Sequence, residues 1–593
     1  MEIYLTFRAH TYILRETPGI WQEDETMDGQ TMTYVYFFLA VFAFLIVQGV
    51  LAERKRIKKL EQKVREQWGK APEREYSLEE YDKISHYFER KKDNRFHIDD
   101  ITWNDMGMDE IFMLLNTAGS AVGEEYLYWA LRTPEFDRKI LEERSELADY
   151  FRSHPEVREQ YGVCFAKMGR KHRIALSDYI GKLSELPAFP LWPHVLALVL
   201  LGASVAAFAA SPYYGIGALV GAIVINMVTY FKYKGDMGVY FTCMSQVADL
   251  VEYGNRIGRI RAEESLLESY GALLNRDCSA FRQVRRQAWI LVDKSSMGGN
   301  LIKALLDYFC MITHLDLILF RQMATTVRDK GDTLERLIET IGKMELSLCI
   351  GSFRDWAPFF CKPILHETPG HALDGKNMYH PLVEHAVANS ISTDRPVLIT
   401  GSNASGKSTF LKTVGINAIL AQTIYTAAAE RFETDFCRVY SSMALTDSLE
   451  TGESYYMVEI KALKRILDAI GGESSVLCFV DEVLRGTNTV ERISASSKIL
   501  ESMAEKQVLC FAATHDIELT RLLEELYDNY HFEEQVEDND ITFSYHLETG
   551  RARSRNAIRL LGIMGYEKEI IEAAGQMAER FVETGKWSLE EKE

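Results

Sequence analysis

Pro396-Val397-Leu398-Ile399-Thr400-Gly401-Ser402-Asn403-Ala404-Ser405-Gly406-Lys407-Ser408-Thr409 is the stretch on which the reading of this 593-residue chain turns. Four apolar residues suit a strand buried on both faces of a mainly parallel sheet. Two glycines then bracket a short polar loop, and the residues from Thr409 to Leu420 have the texture of a helix. Strand, glycine loop, Lys-Ser and helix form the phosphate-cradling pattern GxxxxGK[ST]. Gly401 and Gly406 let backbone N–H groups of Ser402, Asn403, Ala404 and Ser405 turn toward phosphate oxygens. Lys407 supplies a cation, the Ser408 hydroxyl a magnesium ligand, and the helix beginning near Thr409 its dipole. The pattern implies a bound nucleoside triphosphate and its hydrolysis.

Working outward, two further apolar runs end in chemistry-bearing residues. Ser475-Val476-Leu477-Cys478-Phe479-Val480 leads into Asp481-Glu482, with Asp481 74 positions after Lys407. A carboxylate at the end of a buried strand reaches the Mg²⁺ that Ser408 would hold, so Asp481 is the second metal ligand. Glu482 is then placed to orient or deprotonate the attacking water. Val508-Leu509-Cys510-Phe511-Ala512-Ala513 leads to Thr514-His515-Asp516, and His515 is a candidate partner for the γ-phosphate or that water. A lone histidine is more often structural, so its role rests on the pattern around it.

Upstream the chain changes character. Residues 29–52 and 186–231 contain no Asp, Glu, Lys or Arg. About 20 apolar helical residues cross a bilayer's hydrocarbon core, so the first run reads as one span and the second as two. The second run turns at Ser211-Pro212-Tyr213-Tyr214-Gly215. Arg54-Lys55-Arg56 and Lys58-Lys59 follow the first span, placing the rest of the chain on the cytoplasmic side and residues 1–28 outside. These features predict a multi-pass protein of the cell membrane with a cytoplasmic catalytic domain. With so few and so apolar spans, a transport pathway is not expected.

Residues 53–75 read as a charged helical linker, 76–185 as a helical core region and 232–354 as long helices. Leu301, Leu305, Phe309, Ile312, Leu315 and Leu319 recur at helical spacing, an expected core stripe. Nine scattered cysteines with no CxxC pair give neither a disulfide framework nor a zinc site. With 67 basic against 86 acidic residues, the net charge of −19 argues against a surface built mainly to hold nucleic acid.

The motifs of residues 355–593 together resemble the ATPases of the MutS group, within the ABC class of P-loop proteins. The loop at 401–409 is similar to theirs. So are Asp447-Ser448-Leu449-Glu450-Thr451-Gly452-Glu453-Ser454-Tyr455-Tyr456-Met457-Val458-Glu459, Asp481 to Asn488, Ala513 to Leu519 and Arg551 to Ala573. Fainter similarity covers Asn116 to Pro134 and the helices of 235–350, which resemble that family's helical core and levers. The resemblance implies an α/β P-loop domain of the ABC/MutS class behind an all-α core and lever region, here with about three transmembrane helices. It implies ATP and Mg²⁺, with a homodimer in which Ser454 reaches the γ-phosphate bound by the other subunit. It also places the adenine beside His380-Pro381, Val387 and Asn389. An N-terminal mismatch-reading domain is not seen. Two readings of the arms remain: they clasp DNA, as the family's do, or they engage a membrane or protein partner without DNA. The transporter reading fails on the missing LSGGQ signature and the scarcity of spans.

Overall fold

A computed structural model of the chain describes residues 29–170, 178, 181, 190–290, 300–368, 370, 372–402, 405–443, 455–470, 474–484, 487–506, 508–537, 540–552, 558, 561 and 565–584. Residues 1–28, Asn403, Ala404 and Ser454, all named above, lie outside the described residues. The chain divides into two compact units: Met1–Lys59 with Asp293–Met311, and Leu60–Val292 with Ile312–Glu593.

The C-terminal part of the second unit holds two sheets. The smaller is made of Ile364–His366 (β1), Leu373–Met378 (β2), Asn389–Thr393 (β3) and Arg431–Asp435 (β5), in the order β1-β5-β2-β3. The strands of the larger are Val397–Thr400 (β4), Cys437–Ser442 (β6), Ser475–Asp481 (β7), Leu509–Thr514 (β8), Asp528–Glu537 (β9) and Asp540–Thr549 (β10). Their order is β10-β9-β4-β8-β7-β6. Strands β6, β7, β8, β4 and β9 pair in parallel, and β10 closes the edge antiparallel to β9. Every residue of β4 and β8 is buried, as expected for central strands covered on both faces. The three strands expected from apolar runs are therefore β4, β7 and β8, each within one residue of its sequence-based bounds. The small sheet and the β9–β10 ribbon carry no such runs, and the sequence does not announce them.

Helices make up the rest of the described chain. The long helix Gly331–Trp356 leads into the sheet domain, and at its end Arg354 is buried. Its guanidinium donates to Thr426 Oγ1, the Tyr425 carbonyl, Ser145 Oγ and an Asp149 carboxylate oxygen at 2.9–3.0 Å. One cation thus fastens the helix Arg138–Ser153 and the chain following the helix Lys407–Thr423 to the same point. A second seam joins the helix Asp100–Asp105 to the end of β6: Asp105 accepts from Ser441 Oγ at 2.6 Å and from the Met443 N–H at 2.9 Å. The helical region and the sheet domain share one apolar core across these seams.

The charge-free run at 186–231 forms two antiparallel helices, Trp192–Ala207 and Pro212–Lys234. Proline stands in the first turn of both, where its missing N–H costs nothing. Of the described helices, Pro212–Lys234 is long and apolar enough to cross a membrane by itself; Trp192–Ala207 is shorter. Trp192, Val199, Val205, Tyr213, Val220, Val228 and Phe231 are exposed along the pair. The inner side is polar. His314 Nε2 lies 2.8 Å from the Asn226 carbonyl and must donate to it, so His314 Nδ1 accepts from His194 Nδ1 at 2.9 Å. Tyr230 Oη and Lys234 Nζ both donate to Asp316, at 2.9 and 2.5 Å.

His314 also corrects the sequence reading. It sits at φ +56° and ends one helix, Asn300–Thr313, before the next begins at Leu315. The stripe expected over Leu301 to Leu319 is thus broken in two. Leu305 and Phe309, read as core, are 60% and 49% exposed. Helical periodicity identifies an apolar face without identifying what covers it.

The helical core carries a buried acid with a testable signature. Glu345 accepts from the backbone N–H groups of Gly119 and Ser120 at 2.6 and 3.0 Å, with Ser120 Oγ against its second oxygen. Burial outweighs these donors and pushes the carboxyl up from 4.5 to about 7. The folded state therefore holds this proton more tightly than the unfolded chain does. Stability contributed at this site is full below the ordinary value and is lost as pH rises through about 7. Glu345→Gln is expected to remove roughly 3 kcal/mol of that dependence, read by urea unfolding at acid and at mildly alkaline pH. An unchanged slope would sink the assignment.

Candidate nucleotide-binding site

The site forms where the parallel strands end. Register places Thr400 of β4 opposite Thr514 of β8, and Ala513 of β8 opposite Asp481 of β7. Three loops consequently leave the sheet at one level: the glycine loop after β4, the His515 loop after β8 and the Glu482 turn after β7. The order of strands changes direction around β4, the usual position of a ligand crevice in such sheets. A cavity of about 920 Å³ opens there.

Gly401 is at φ +148° and Gly406 at φ +106°, conformations that a side chain disfavours. A Cβ on Gly401 would stand 2.8 Å from Ser405 Oγ and 2.9 Å from the Phe532 carbonyl, so the loop has no room for one. The helix Lys407–Thr423 starts immediately afterwards, with Gly406 as its N-cap. Lys407 Nζ donates to the Gly401 and Ser402 carbonyls at 2.8 Å, folding the lysine back along its own loop. The Ser405 hydroxyl is buried and has no hydrogen-bond partner among the described residues. A buried hydroxyl of this kind is what an incoming phosphate oxygen would satisfy.

Ser408 Oγ donates to Asp481 Oδ2 at 2.5 Å. The two side chains assigned to a metal from separate segments therefore meet. His515 Nε2 stands 3.0 Å from Glu482 Oε1 and 3.4 Å from Lys407 Nζ, linking the three loops in one row. Arg492 forks onto the Asp516 carboxylate at 2.9 and 2.6 Å and fixes the loop that carries His515. Glu482 has φ +58°, rare for a residue with a side chain, and its N–H donates to the Ala513 carbonyl at 2.9 Å. Strain of this kind persists only where surrounding bonds over-determine it.

The far wall is formed by Met378, His380, the stretch from Val383 to Val387, Asn389 and Tyr545, whereas Pro381, expected beside the adenine, is not among the lining residues. Val387 and Asn389 line it as expected, but the Asn389 amide is already engaged. It donates to the Tyr545 carbonyl at 2.9 Å and accepts from the Leu547 N–H at 2.8 Å. His380 is neutral there, pushed down to about 4 by burial and by the Lys412 ammonium. Tyr545 is not expected from sequence. A register shift in β10 between Phe543 and Leu547, with Tyr545 at φ +55°, brings it to the cavity wall beside Gly406. The bulge is held by Asn389 from 156 positions away, so no local pattern announces it.

The comparisons agree with this geometry. The family description "MutS domain V" matches residues 397–582. The DNA mismatch repair protein MutS of Listeria monocytogenes serotype 4a (strain HCC23) is 30% identical over 295 residues, which are 47% of this chain and 33% of that protein. That of Pseudothermotoga lettingae is 32% identical over 240 residues, 38% of this chain and 29% of its own. That of Thermus thermophilus is 30% identical over 217 residues, covering 36% of this chain and 26% of its own. The chain is a MutS-family protein through its C-terminal domain. What it shares with these MutS proteins amounts to about a third of their length. The cavity residues from Ser402 to Tyr545 lie within the domain V match, whereas His380 to Asn389 precede it.

The crowding at Gly401 gives a direct check. Gly401→Ala is expected to lower stability by roughly 1–3 kcal/mol, through φ strain and the two contacts closer than 3.0 Å, in a thermal unfolding measurement. A wild-type midpoint would show that the loop tolerates a side chain.

Proposed function

We propose that this MutS-family chain binds and hydrolyses ATP with Mg²⁺ as a homodimer anchored in the cell membrane, its catalytic domain on the cytoplasmic side. The observation carrying the enzymatic part is the single row of Lys407, His515 and Glu482 beside the Ser408–Asp481 pair, on three loops at one sheet edge. The residues fit the ligand. Backbone amides from Gly401 to Gly406 and the Ser405 hydroxyl face a polyphosphate, and Lys407 trades its loop carbonyls for the β- and γ-phosphates. Ser408 and Asp481 hold the metal, which when bound offsets the charge of the phosphates. Glu482 orients the attacking water and accepts its proton, and His515 holds Glu482 in place from the other side. Val387, the neutral His380 and the Tyr545 ring give the base an apolar wall. Ser454 precedes the helix Tyr455–Ala469 and completes the partner's site.

Lys407→Ala should abolish ATP binding in calorimetry. Glu482→Gln should still bind ATP, lose turnover and accumulate as a dimer in size-exclusion light scattering; normal turnover removes Glu482 from this role. Mixing Ser454→Ala with Lys407→Ala chains should restore activity that neither has alone, because one complete site forms in each mixed dimer. No recovery would mean that sites are not shared.

The membrane part rests on the hairpin. A 23-residue helix is about 35 Å long, enough for a hydrocarbon core of about 30 Å, and its outer side is apolar along its length. The apolar start of Gly29–Gln67 supplies a further span. Ser211→Cys, at the hairpin turn, should be labelled in intact cells by a membrane-impermeant maleimide. A chain recovered in the soluble fraction and unlabelled at that position would sink the anchor.

A second reading, DNA held by the helical arms, is favoured by the likeness to DNA mismatch repair proteins. The net charge of −19 weighs against it. Duplex binding that falls steeply with salt would support DNA, and no binding at low salt would remove it.

A further inference from the structure

Glu459 lies in the second turn of the helix Tyr455–Ala469 and is 3% exposed. Its Oε1 accepts the backbone N–H of Leu484 at 2.5 Å. That amide belongs to the turn bearing Glu482, and Leu484 itself is at φ +60°. Two residues in the left-handed region within three positions cannot hold without support. Among the described residues, three groups bond the backbone of the turn, each from a different element. Ala513 of β8 accepts from the Glu482 N–H, Ser496 Oγ donates to the Val483 carbonyl at 3.1 Å, and Glu459 takes the Leu484 N–H. Among the described residues, the last is the support that comes from a carboxyl group on a helix outside the sheet. Val483 and Leu484 pack into the same apolar cluster as Leu463 and Ile466 of that helix, so helix and turn move together.

We propose that Glu459 is the positioning residue for Glu482. By clamping the Leu484 amide it keeps the turn left-handed and the Glu482 carboxylate facing His515 and the γ-phosphate position. The helix that carries the clamp begins one residue after Ser454, the residue assigned to the partner's nucleotide. The proposal rests on the ATPase reading above.

The test separates reach from charge. Glu459→Asp keeps the charge and withdraws the acceptor by one methylene; Glu459→Gln keeps the reach and loses the charge. Both keep a polar side chain in place, and thermal unfolding with and without ATP verifies that each folds. Glu459→Asp is expected to lower kcat roughly tenfold, the worth of one buried hydrogen bond, with ATP affinity unchanged. Glu459→Gln should stay near wild type. Deuterium exchange of the peptide containing Leu484 should accelerate in Glu459→Asp alone, whether or not ATP turns over. Wild-type kcat in Glu459→Asp, equal losses in both variants, or unchanged exchange would each overturn the proposal. A wild type with the protected amide and no hydrolysis would instead fail the ATPase reading, and the positioning role with it.

Discussion

Parallel register is the constraint on which the site depends. A parallel ladder fixes each strand against its neighbour residue by residue. Here it ends β4 and β8 level with each other, and β7 at the Ala513 pairing, one residue short of the end of β8. Short polar side chains therefore meet without long reaches: a serine touches an aspartate, and a histidine touches a glutamate. A slip of one residue in β8 would turn its buried faces over and carry His515 away from the row. The fully buried apolar strands exclude that slip, so packing in the sheet interior sets the chemistry at its edge.

The same domain is seamed to helices at two places far from the cavity. Arg354 gathers a carboxylate, two hydroxyls and a carbonyl around one buried guanidinium. Asp105 receives the end of β6 just before the segment that contains Ser454. A buried cation with several partners is expensive to break and permits little rotation. The sheet domain and the helical region are thus fastened to each other at these two points.

What the sequence disclosed follows from how each residue is constrained. That the loop at 401–409, Asp481, Glu482 and His515 share one cavity was legible because fully buried strands leave plain apolar runs and each of these residues follows one. Tyr545 was hidden because its place depends on a bulge held by a distant asparagine. Asn389 was placed correctly at the cavity wall, but its amide proved committed to β10. Glu459 lay inside a segment already noted, yet a buried carboxylate on a helix looks in sequence like any solvated one. The stripe through Leu305 and Phe309 failed for the opposite reason: periodicity records an apolar face equally well whether it is covered or bare.

The left-handed backbone at Glu482 sets stability against activity. Glycine is the residue that best tolerates φ +58°, and at this position it would relax the turn. It would also delete the carboxylate. At Leu484 glycine would relieve φ +60° but open a void in the apolar cluster, so there the two effects oppose each other. Random substitution screened for thermal tolerance alone would favour glycine at 482 and discard the carboxylate that the proposed hydrolysis uses. The strained glutamate stands where the fold by itself would favour glycine.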